Sequence, residues 1–99
     1  MNPPEGYLNP GERLARRIDL LTHLLGRTHR ADPERHDLRW ELAVTRIRLE
    51  LWIEVQSEAL GHPVEVETGK WIYRLSRGEL VAMRIENAIE ADWRFQCQG

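Results

Sequence analysis

Four histidines, one cysteine, a few serines and a scatter of carboxylates are the side chains in this sequence with chemistry to offer. His23, His29 and His36 flank the connection between two helical patterns, and His62 follows the second. A zinc site draws three or four ligands to about 2 Å, and its signature is a close pair of ligands separated by two or three residues. The gaps here are six and seven positions, with no cysteine near. That spacing predicts solvated histidines, with no metal and no cofactor. A nucleophile would have to be Cys97, Ser57 or Ser76. Cys97 is third from the end, where a rigid pocket is not expected. Ser76 reads as a helix cap. There is no nucleophile elbow, no glycine-rich phosphate loop and no HExxH. The expectation is a protein that is not an enzyme.

The arginines are the next candidates. Lys70 is the single lysine among 14 basic residues. Arginine suits forked contacts with carboxylates and stacking on aromatic rings. This usage also follows GC-rich coding, as in actinobacteria and their phages, and as such carries no mechanism. Arg13, Arg16, Arg17, Arg27 and Arg30 fall on one helical pattern or its end, which makes a small nucleic-acid-binding regulator the alternative reading. Against it, Glu12 and Asp19 interrupt the patch and no helix-turn-helix pattern is present. The formal charge of −2 speaks against binding nucleic acid through bulk charge.

These side chains sit on a chain of 99 residues, 41% apolar and 30% charged. Those figures fit one globular domain with a single modest core. No apolar run approaches the roughly 18 residues needed to span a bilayer. The opening "MNPPEGYLNPGE" has neither the basic start nor the apolar centre of a secretory signal. One cysteine rules out an internal disulfide framework and fits a reducing compartment. A cytoplasmic location without membrane contact is expected.

Residues 1–8 read as an irregular N-terminal arm, and residues 9–99 as a single domain. "NPGE" starts the first helix, with Asn9 as cap, Pro10 in the first turn and Glu12 completing a capping box. Leu14, Ile18, Leu21 and Leu25 form its core stripe, and it fades between Gly26 and Arg30. Asp32 and Pro33 start a second helix that has no breaker before Gly61. Next comes a β-hairpin with Thr68-Gly69 at a two-residue turn, setting Val66 opposite Trp71 and Val64 opposite Tyr73. "SRGE" reads as a further capping box opening a final helix, with Val81, Ile85, Ala88 and Ile89 on one stripe and Trp93 and Phe95 closing the chain. The expected fold is mainly α, in the order α-α-β-β-α: a long antiparallel helical hairpin, a short β-hairpin and a C-terminal amphipathic helix.

Residues 46–56, "RIRLELWIEVQ", also fit a strand, since Ile47, Leu49, Leu51, Ile53 and Val55 alternate with polar neighbours. The alternative is therefore an α+β fold with this stretch as a third strand. Helix is preferred, because no turn residue separates it from "PERHDLRWELAV" and Arg46 and Glu50 stand four apart. As a helix it carries two opposed stripes: Trp40, Val44, Ile47, Leu51 and Val55 on one side, and Leu38, Leu42, Leu49, Ile53 and Leu60 on the other. A helix apolar on two faces must be covered on both, so Leu49 and Leu51 should both be inaccessible. One face can be covered by the first helix. The other needs the rest of the chain, a second copy or another protein. The first helix adds Leu20 and Leu24 beside its arginines. The expected partner interface comprises Leu20, Leu24, Trp40, Leu49, Trp52 and Ile53. The leading expectation is a protein–protein interaction or regulatory protein acting through apolar helix faces, as a homodimer or with a protein partner.

Overall fold

A computed structural model of the chain describes residues 9–85. The arm expected over residues 1–8, Ala88 and Ile89 of the final stripe, and the closing Trp93 and Phe95 lie outside them.

Helix α1 runs Pro10–Arg27. Asn9 caps it as expected, its side-chain oxygen accepting from the Glu12 amide at 2.7 Å while its amide nitrogen donates to the Glu12 carboxylate. Helix α2 runs Glu34–Leu60 and includes all of residues 46–56. The alternation in that stretch therefore reflects two helix faces. Asp32 Oδ1 accepts from the Glu34 amide at 2.9 Å. At the other end, the Gly61 amide donates to the Ser57 carbonyl. The Arg35 guanidinium donates to the carbonyls of Leu25 and Thr28, so α2 itself caps the end of α1.

The strands are β1 (Val66–Glu67), β2 (Trp71–Ser76) and β3 (Glu79–Arg84), an antiparallel meander in that order. Two expectations are corrected here. The first concerns the β1–β2 register, which pairs Val66 with Tyr73 and Glu67 with Ile72, two residues from the expected pairing. Thr68 is the cause. Its hydroxyl accepts from the amides of Lys70 and Trp71, and its amide donates to the Trp71 carbonyl, so the turn holds four residues. A slip of two preserves faces, and Val66 and Tyr73 are buried together as the apolar pattern required.

The second correction is larger. Residues 79–84, expected in the final helix, are a strand, and "SRGE" is a hairpin turn in which Ser76 pairs with Glu79. Arg77 and Gly78 both have positive φ, 53° and 79°, the conformation of a tight turn whose twist matches the flanking strands. The same four letters satisfy a capping box, but Arg77-Gly78 also satisfies this turn. Pairing of Leu75 with Leu80 places both against the core that the sheet shares with the helices. Among the described residues the order is α-α-β-β-β.

The helical hairpin forms one layer and the sheet the other. Their shared core comprises Ala15, Ile18, Leu49, Ile53, Val66, Tyr73 and Leu80. Ile18, Leu21, Leu49 and Ile53 are fully buried, each contributing about 1.5–3 kcal/mol. Two further bonds fix the layers: the Val64 amide donates to Ser57 Oγ at 3.0 Å, and Arg46 donates to the Leu80 carbonyl at 3.3 Å. No helix of the described residues is long and apolar enough to cross a membrane.

Candidate interaction surface

The two stripes of α2 meet different fates. Leu49 and Ile53 face α1 and the sheet, at 0% and 1% exposure, with Leu38 and Leu42 half-buried beside them. Leu60 departs from this stripe and is exposed, because it ends the helix. The opposite stripe is uncovered: Trp40 is 67% exposed, Ile47 57%, Leu51 56% and Val55 59%, with Val44 half-buried among them. The expectation that Leu51 is inaccessible is corrected. Within one chain α1 and the sheet lie on a single side of α2, so nothing from the described residues reaches the other.

The residues expected at a partner interface therefore divide. Trp40 stands on the exposed stripe. Leu49 and Ile53 are committed to the chain's own core, out of reach of any partner. Trp52 is half-buried, and its ring lies against Gly11, where there is no room for even a Cβ. A β-carbon at position 11 would clash with the nearest carbons of the indole. Glycine in the first turn of α1 is thus what lets the two helices approach there. Leu20 and Leu24 are exposed on α1, 45% and 39%, away from the α2 stripe. The sequence signal for the exposed set was present, since Ile47, Leu51 and Val55 belong to the first stripe. What it lacked was which stripe the sheet would cover.

The other candidates are scattered. Arg17 pairs with Glu41 across the helical hairpin. Arg16 lines a groove against the sheet, whereas Arg30 lines a separate recess with Arg35 and Arg39 at the α1–α2 turn. Arg13 and Arg27 are exposed on α1. The five do not make one surface. His29 Nδ1 accepts from the Ala31 amide, and His62 Nδ1 lies 3.0 Å from the Pro63 carbonyl. No group of three or more metal-ligating side chains is assembled among the described residues. Ser57 spends its hydroxyl on the Val64 amide, and Ser76 ends β2.

The uncovered stripe is regular in its spacing. Its spacings of four, three, four and four approach the seven-residue repeat by which helices pack along a seam. From Trp40 to Val55 it runs about 22 Å at about 1.5 Å per residue. It is a contiguous apolar line that the described residues leave open to solvent. The chain matches no protein-family profile, no curated protein and no solved structure.

Proposed function

We propose that this is a non-enzymatic interaction protein that associates through the outer face of α2, with a second copy of itself as the partner. The observation that carries the reading is the exposed line Trp40, Ile47, Leu51 and Val55 on a helix whose opposite face buries Leu49 and Ile53 in the core. Burying such side chains is worth about 1.5–3 kcal/mol each, enough in total to offset the cost of joining two molecules.

Charge supports a second copy, lying antiparallel. Within α2, residues 34–48 hold four arginines against three carboxylates, net +1, while residues 49–60 hold three glutamates and no cation, net −3. Two α2 helices side by side in the same direction would set Glu50, Glu54 and Glu58 against their own copies. Reversing one sets the acidic half against the arginine-bearing half and also aligns the helix dipoles favourably.

Light scattering coupled to size exclusion tests this. The wild-type chain should run at twice 11.7 kDa, and Leu51→Glu should return it to the monomer mass without loss of helical content. A wild-type chain that stays monomeric at high concentration would remove the proposal.

A further inference from the structure

A groove of about 730 Å³ lies between α1 and the open end of the sheet, on a surface separate from the α2 stripe. Basic side chains reach it from four elements: Arg16 and His23 from α1, Arg46 from α2, Lys70 from the β1–β2 turn and Arg84 from β3. The one carboxylate in its lining is Asp19, a single negative charge among these cations, which also accepts a hydrogen bond from the Tyr73 hydroxyl.

Two of these cations are held in place without being neutralised. The Arg46 guanidinium donates to the Leu80 carbonyl, a neutral acceptor. The Arg84 guanidinium lies over the Trp71 ring, 5.6 Å from its centre. Among the described residues none of Arg16, Arg46, Lys70 and Arg84 is in an ion pair; the pairs seen are Arg17 with Glu41 and Arg74 with Glu65. Four permanent positive charges round one concavity repel one another, and an anion seated there would relieve them. In a chain of net charge −2 this is a local concentration, not the bulk character of the protein. The recess at the α1–α2 turn is less suited. Its Arg35 is already donating to two carbonyls, and its Asp32, which accepts from the Glu34 amide, carries negative charge.

From this geometry we infer that the groove binds a phosphate-bearing ligand of nucleotide size. Arginine forks and a lysine match phosphate oxygens. The half-buried Trp71 supplies a flat apolar wall, and the volume falls in the range of small-ligand sites, about 300–1,000 Å³. The phosphate can belong to a free nucleotide or to one residue of a single strand, and the chemistry of recognition is the same. The inference does not depend on self-association.

Isothermal titration calorimetry on the full chain at low ionic strength is the test, with three probes: inorganic pyrophosphate, ADP and a ten-residue oligothymidylate. The wild type should bind at least one, more weakly as salt is raised. Arg16→Glu and Arg84→Glu should each weaken that binding about tenfold or more. Arg74→Glu makes the same charge change on the opposite face of the sheet and should stay within about twofold. Binding of pyrophosphate or ADP identifies a free ligand, and binding of the oligonucleotide alone identifies a strand. Circular dichroism checks that every variant retains the wild-type fold. No binding of any probe by wild type, or an equal loss in Arg74→Glu, overturns the inference.

Discussion

Leu49 and Leu51 stand two residues apart on α2 and face opposite ways, one at 0% exposure in the core and the other at 56%. Chemically identical residues on one helix thus have opposite surroundings, and substitution separates them. Leu49→Ala should cost about 2–5 kcal/mol of unfolding free energy, because it leaves a cavity among Ile18, Ile53 and their neighbours. Leu51→Ala should change the stability of the monomer by no more than about 0.5 kcal/mol while weakening association. Urea unfolding at dilute concentration, paired with light scattering, reads both. Equal stability losses in the two variants would mean that Leu51 is buried within its own chain.

Gly11 and Gly26 make a second contrast within α1. A β-carbon at Gly11 meets the Trp52 ring, whereas one at Gly26 meets nothing within 4 Å. Gly11→Ala should therefore destabilise by about 1–3 kcal/mol through overpacking. Gly26→Ala should stabilise by up to about 1 kcal/mol, the ordinary helix preference for alanine. Thermal unfolding of the two variants should move in opposite directions.

The turn at Arg77-Gly78 distinguishes strand from helix over residues 79–84. With φ near +79° at Gly78, Gly78→Ala should cost about 1–2 kcal/mol, since a side chain disfavours that conformation. Arg77→Asn should stabilise slightly, asparagine being the preferred companion of glycine in such a turn. In a helix the alanine would have been the better residue. A gain in melting temperature from Gly78→Ala would thus argue against the hairpin.

Tyr73 should make stability depend on alkaline pH. Burial, with help from its hydrogen bond to Asp19, pushes its phenol well above the ordinary value near 10. Above about pH 10 the unfolded chain releases this proton while the folded chain keeps it. The unfolded state then binds fewer protons, so stability falls as pH rises. Below pH 10 the contribution is fully present. In Tyr73→Phe this alkaline slope should flatten, at a loss of about 1–2 kcal/mol at neutral pH from the missing hydrogen bond. An unchanged slope between pH 10 and 11.5 would count against the buried phenol.

The orientation of the dimer can be read with spin labels. With Cys97→Ser as background, a label introduced by Glu58→Cys should lie about 30 Å from its copy in an antiparallel pair centred between Trp40 and Val55. One introduced by Arg48→Cys should lie near its copy, at about 10–15 Å. Short distances at both positions would indicate parallel helices.

Local signals in the chain were sufficient for both helices. Asn9 with Pro10, Asp32 with Pro33, and Gly61 mark boundaries within a residue of those observed, because caps and breakers act through bonds to their own neighbours. The faces of α2 and of the first hairpin were likewise legible, since periodicity fixes which residues share a side. Elsewhere one string of residues served two local structures, and contacts far along the chain chose between them. "SRGE" can open a helix or turn a hairpin, and the pairing of β3 along the full length of β2 selected the turn. Thr68 could not be seen to widen its turn until its hydroxyl had met the Lys70 and Trp71 amides. The groove, too, joins residues from 16 to 84 that share no local pattern.

By itself, then, the sequence favoured α2 as one helix with two apolar faces, because no breaker interrupts it, while the alternation over residues 46–56 kept a strand as the alternative. Only the tertiary structure decided which face is the core and which stays exposed. The α1 helix and the sheet both pack against the Leu49–Ile53 side, where Gly11 admits the Trp52 ring beside it. A rigid helix cannot turn its other side to the same neighbours.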